Sequence, residues 1–250
     1  MKTRHFIQIA LVASFATLSL AANATANTDK TIYGTNFGTG SSYTTTLFGG
    51  STSVTFEALV TKDSEEKKAK FSYKAGQDGY QGVGVSPKQG SERTPGEIDI
   101  GESIKGTFSS NTFVSNITLG LLFDGPEYGD VNEKAQFTAI YQDGTSHVFT
   151  LTATGPSTAI WSGSGSFIEN LSPAIGGLGG VWSITNPFGD FVKSFSLTAI
   201  GGSCGSAGGA CNNQSDFTLI SIAVPEPETY AMMLAGLAGI GFVARRKKQA

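Results

Sequence analysis

The chain predicts an all-β fold, a single antiparallel β-sandwich or jelly-roll-like domain, with a targeting segment at each end. Three observations carry this. Apolar residues alternate with polar ones at period two along many short runs. Clusters of Gly, Ser, Asn and Pro separate those runs. No stretch between the two ends has helical periodicity. Many short strands punctuated by turn residues indicate two packed sheets.

The first run is Val54, Phe56, Ala58 and Val60. Asp63 to Lys70 is charged and reads as a solvated loop, with a turn of helix as the alternative. Phe71 with Tyr73, then Val83 with Val85, resume the alternation. Phe113, Ile117, Leu119 and Leu121 mark one longer strand. Phe137, Ala139 and Tyr141 lead into Gln142-Asp143-Gly144-Thr145, and Val148 to Thr152 is the return strand. Asp-Gly between alternating runs predicts a hairpin with a type I′ turn, which needs φ > 0 at both centres. Phe191 to Ile200 and Phe217 to Ala223 close the series.

The N-terminus has a different logic. Lys2 and Arg4 precede an apolar stretch from Phe6 to Leu20, followed by small-x-small sites at 22–24 and 24–26. That order defines a secretory signal peptide over residues 1–26. At the other end, Pro225-Glu-Pro227 precedes an apolar run from Tyr230 to Ala244 and the basic tail Arg245-Arg246-Lys247-Lys248. The run predicts one apolar transmembrane helix of about 22 Å. A hydrocarbon core is about 30 Å thick, so the span is short. The basic tail stays cytoplasmic by the positive-inside rule. Three segments follow: the signal peptide, an ectodomain over 27–223, and a C-terminal signal over 224–250 that begins with a Pro-stiffened linker.

Removing both ends leaves eleven Lys and Arg against eighteen Asp and Glu, a net charge of −7. Phosphate binding needs concentrated positive charge, so a nucleic-acid partner is excluded. Cys204 and Cys211 are the only cysteines, and an exported chain meets an oxidising compartment. A disulfide closing a Gly-rich loop is the expectation; a metal or redox pair is the alternative.

Candidate chemistry is sparse. Gly201-Gly-Ser203-Cys-Gly205 fits Gly-x-Ser-x-Gly, but a nucleophile elbow needs a following helix and a His partner. His147 is the only histidine outside the signal peptide, and it reads as a strand-edge residue. Trp161 and Trp182 read as core aromatics, with sugar stacking as the alternative. No carboxylate spacing singles out a glycosidase pair. The Asn-x-Ser/Thr matches at Asn116, Asn170 and Asn213 read as chance. Thr44-Thr45-Thr46 is a single run and supplies no repeated ice-binding array.

The best candidate site is acidic. Glu97, Asp99 and Glu102 form one group, with Glu97 and Asp99 expected on one strand face and the Ile side chains on the other. Asp124, Glu127 and Asp130 form a second group in a turn-rich loop. Hard oxygen donors of this kind suit Ca²⁺. Solvated acidic loops with no cofactor are the simpler reading, and a structural Ca²⁺ the alternative.

The order Val224-Pro225-Glu226-Pro227, Gly-rich apolar segment, and Arg245 to Lys248 resembles the PEP-CTERM sorting signal of Gram-negative bacteria. That resemblance implies Sec export, transient anchoring in the inner membrane, processing by an exosortase-like enzyme, and delivery to the cell surface or extracellular matrix. Gly82-Val-Gly-Val85, Gly96-Glu-Ile-Asp99, Leu121 to Asp130 and Asn213 to Leu219 also resemble ectodomains of such surface proteins. The latter resemblance implies a surface β-sandwich and assigns no activity; the function expected is a non-catalytic component of an exopolysaccharide or biofilm envelope, with exopolysaccharide as a partner. A Ca²⁺-dependent carbohydrate-binding module and a carboxylate-based extracellular hydrolase are the alternatives.

Overall fold

The computed structural model describes residues 30–75, 80–86, 95–124, 130–172, 180–204 and 215–226. The expected signal peptide, the apolar segment and the basic tail lie outside these. Fifteen strands follow in chain order: β1 (Lys30–Tyr33), β2 (Ser42–Leu47), β3 (Thr52–Lys62), β4 (Glu65–Lys68), β5 (Lys70–Ala75), β6 (Gln81–Ser86), β7 (Glu102–Thr112), β8 (Asn116–Gly120), β9 (Asp130–Tyr141), β10 (Ser146–Gly155), β11 (Thr158–Trp161), β12 (Phe167–Asn170), β13 (Trp182–Thr185), β14 (Val192–Cys204) and β15 (Thr218–Val224). Among the described residues there is no α-helix, so the all-β expectation is met.

The strands form two antiparallel sheets. The eight-stranded sheet runs β11-β10-β9-β14-β7-β3-β2, with β4 beside β3. The seven-stranded sheet runs β12-β13-β8-β15-β6-β5, with β1 beside β15. Period-two alternation gives each sheet one apolar face. Val54, Phe56 and Ala58 of β3, Phe137 of β9 and Leu197 of β14 meet Val83, Ile117, Leu119, Trp182 and Leu219 of the other sheet in one core. Gly106 on β7 is flanked by Phe56 and Phe195; a Cβ there would lie 2.6 Å from the Phe195 ring, so glycine makes room for the two aromatics.

Three sequence expectations are corrected. The single strand expected from Phe113 to Leu121 is only β8. Leu121 has φ of 62°, which ends the strand, and the 113–115 segment carries the chain from β7 in one sheet to β8 in the other. The Asp63 to Lys70 loop is instead a hairpin, Lys62 pairing with Glu65 across Asp63-Ser64. Those two residues have φ of 55° and 65°, the positive pair that a type I′ turn requires. At Asp143-Gly144 only Gly144 is positive, at 84°. The Gly144 N–H donates to Tyr141 O and the Tyr141 N–H to Thr145 O. That is a three-residue loop, a type I turn followed by a left-handed glycine. Asp143 Oδ1 accepts both the N–H and the hydroxyl of Thr145, which holds the aspartate in the turn.

β15 organises both ends of the domain. Along one edge it pairs with β8. Along the other, Phe217 O accepts the Ile98 N–H, Leu219 pairs with Val83 of β6, and Ser221 to Val224 pair with β1. Lys30 is opposite Val224, so the chain enters and leaves the domain side by side.

Candidate functional site: acidic clasps, an aromatic groove and the C-terminal exit

Glu97, Asp99 and Glu102 are not solvated, and the segment that carries the first two is not a regular strand. Residues 97–99 form an extended segment laid across β6, not a strand. Gly84 permits this: a Cβ there would fall 2.2 Å from the Glu97 carbonyl. Glu97 O accepts the Val85 N–H at 2.8 Å, so the segment is stitched between β6 and β15. Glu97, Asp99 and Glu102 are all buried, whereas Ile100 is 49% exposed. The solvated-loop expectation fails here because Glu97, Ile98 and Asp99 are all buried, so both sides of this segment are covered.

Each acid is bound to protein groups. Glu97 Oε1 meets Lys74 Nζ at 2.5 Å, and its carboxyl also bonds Asp216. Burial pushes Glu97 up to about 9, Asp216 adds to the rise, and Lys74 opposes it. Burial therefore favours the protonated form of the Glu97 carboxyl, which lies between Lys74 Nζ and the Asp216 side chain. Asp216, buried beside it, carried no signal in a sequence read for acidic runs. Asp99 and Glu102 close a tight turn: Glu102 Oε2 accepts the Asp99 N–H, and the Glu102 N–H donates to Asp99 O.

The second acidic group is also a clasp. Asp124 Oδ1 accepts from Asn132 Nδ2, which also donates to Ala153 O. Glu133, 1% exposed, accepts the Phe123 N–H at 2.6 Å. Asp130 opens β9 opposite Cys204, and Glu127 lies outside the described residues. Among the described residues, no three His, Cys, Asp or Glu side chains come together as a metal-binding group. A Ca²⁺ ion at these positions would have to displace the hydrogen bonds above. Cys204 ends β14, and Cys211 lies outside the described residues, as does any bond between them.

The Gly-x-Ser-x-Gly fit has no catalytic geometry. Ser203 is opposite Asn132, whereas His147 is opposite Ala139. Seven residues along β9 separate those positions, about 23 Å at the rise of a strand.

At the other end of β9 lies a feature that periodicity does not reveal. The β9–β10 turn and the loop before β14 enclose an open groove of about 860 Å³, lined by Tyr141, Asp143, His147, Phe149, Phe188 and Asp190 among others. His147 faces into it from β10. Trp161 stacks behind Phe149, with planes 11° apart, and meets Phe137 edge-on. Trp182 is a core residue, 1% exposed, its Nε1 donating to Leu122 O. Phe188 and Asp190 sit in a short Gly- and Pro-punctuated loop with no alternation to read.

The C-terminal exit is firmly folded. Val224 is fully buried as the last residue of β15, and Pro225 is buried beyond it. Glu226 is the last described residue before the tail, and Pro227 and Arg245 to Lys248 lie outside. Among the described residues, no helix is long and apolar enough to cross a membrane. A β-domain that ends at once in a Pro-Glu-Pro, an apolar segment and a basic stop defines an exported protein with a C-terminal sorting signal. That signal is a particular one: residues 223–248 match the family model of the PEP-CTERM protein-sorting motif. The chain carries a PEP-CTERM signal, consistent with an exported protein sorted by an exosortase to the cell surface. No curated protein and no solved structure matches the chain.

Proposed function

We propose that the chain is a non-catalytic protein of the cell surface or extracellular matrix, held at the inner membrane until its tail is processed. The two sheets with their shared core form a β-sandwich cargo, and the acidic clasps are part of its scaffold. The observation that carries this reading is the sorting motif beginning at Ala223, inside β15. The folded cargo and its membrane address are joined with almost no spacer. The signal peptide supplies Sec export. The Glu97, Glu102, Asp124 and Glu133 carboxylates bond protein groups, which favours a structural role over that of a hydrolase pair.

Fractionation of the host with and without its exosortase tests the proposal. The expected result is a shortened protein at the cell surface in the first case and a full-length protein in the inner membrane in the second. Full-length protein in the inner membrane in both would reject it.

A further inference from the structure

The groove at the β9–β10 turn has the composition of a ligand site. Its rings form a continuous chain. Tyr141 and His147 have centroids 5.0 Å apart, His147 and Phe149 6.4 Å, and Phe149 and Phe188 6.2 Å. The floor is fixed: Phe188 is buried, and Tyr141 Oη donates to its carbonyl oxygen at 2.7 Å. His147 lies exposed on the rim, and Phe191, 42% exposed, extends it.

Two carboxylates line the groove beside these rings, Asp143 from the β9–β10 turn and Asp190 from the loop before β14. Thr145 holds Asp143 below the usual carboxylate range by two hydrogen bonds, so it stays charged. Asp190 Oδ1 accepts the Phe191 N–H at 2.6 Å, and the Asp190 charge, after burial, helps raise Tyr141. Both acids are exposed. Neither Lys nor Arg lines the groove.

Three physical points choose the ligand. Ligand pockets run from about 300 to 1,000 Å³, with aromatic walls and a few fixed polar groups. This groove fits that range, and a lone ammonium ion would fill little of it. Ring faces accept the C–H faces of a sugar, while ionised carboxylates take strong hydrogen bonds from hydroxyl or amino groups. Two carboxylates with neither Lys nor Arg beside them repel an acidic ligand.

We propose that this groove binds a glycan free of acidic groups, one sugar ring lying against His147 and Phe149 with its hydroxyl or amino groups bonded to Asp143 and Asp190. The proposal deepens the surface-protein reading, since it names what the cargo would hold there. The groove and the tail are distinct parts, so binding and sorting fail separately.

Calorimetry on the full-length protein in detergent tests it, with hexamers of glucose, glucosamine and galacturonic acid as probes and choline as a cation control. Glucose or glucosamine hexamer should bind, galacturonate should not, and Trp161 fluorescence should change on binding. His147→Ala and Asp190→Asn should each weaken binding at least tenfold with Tm unchanged. Binding of none of the sugars, equal binding of galacturonate, or indifference to both substitutions would overturn it. Choline binding tighter than either sugar would also overturn it, by showing a cation cage instead.

Discussion

The two ends of the domain handle acidic groups differently. At one end, Glu97, Asp99, Glu102 and Glu133 are buried, and each bonds protein groups. At the other, Asp143 and Asp190 stand exposed beside half-buried rings. Asp130 and Tyr141, the two ends of β9, are about 36 Å apart at the rise of a strand. Acidic sequence alone does not separate these cases. What separates them is burial: the first group is walled in by the fold, whereas Asp143 and Asp190 face solvent although each also accepts a protein hydrogen bond. A carboxylate so surrounded acts as scaffold; an exposed one beside aromatic faces is left for a partner.

This contrast can be broken at several points. The largest effect is expected at Gly84. Gly84→Val places side-chain atoms inside the Glu97 backbone, unlinks the 97–98 segment from β6 and β15, and should abolish cooperative unfolding followed by circular dichroism. Trp182→Ala should cost about 3–5 kcal/mol in urea unfolding, by opening a cavity and stranding the Leu122 carbonyl.

A pH-dependent effect comes next. Glu97 is raised in the folded state from 4.5 to about 9, so the native protein holds a proton that the unfolded chain has lost. Its contribution to stability is fully present below pH 4.5 and declines as pH rises towards 9. Glu97→Gln keeps a neutral hydrogen-bonding group and should flatten that decline. The variant should gain on the parent chain from pH 5 to 9 in urea midpoints. Parallel pH profiles would mean that Glu97 is ionised in the fold.

Smaller effects belong to the open end. Gly144→Ala puts a Cβ on a residue with φ of 84° and should cost about 1 kcal/mol, with no contact within 4 Å to add to it. Asp190→Asn should leave the urea midpoint unchanged within error, because the exposed carboxylate supports no core contact. A loss there as large as at Gly84 would erase the distinction between the two ends.

The alternating runs made the strands β3, β5, β6, β9, β10, β14 and β15 legible in the sequence. β1, β11, β12 and β13 are four residues long, too short for period two to stand out. β7 is interrupted by Gly106 and the Ser-Ser-Asn run 109–111, so its pattern is thin despite its length. The turn types were exchanged because Asp-Gly accepts a left-handed second residue alone, whereas Asp63-Ser64 is forced positive at both positions by a two-residue connection. The acidic residues were visible, but their burial was not. Burial depends on Gly84 and Asp216, which meet Glu97 only in three dimensions. The groove was unreadable because its rings come from β9, β10 and a loop some forty residues further along. The sorting motif was legible, since its meaning lies in the linear order of a Pro-Glu-Pro, an apolar run and a basic stop.

The central claim is that this domain is a cargo whose C-terminal address is removed on delivery. The most direct measurement is the intact mass of the protein recovered from the outside of the cell. The account predicts a species that retains β15 and lacks the apolar segment and Arg245 to Lys248. Recovery of a surface species whose mass includes the whole tail would contradict it.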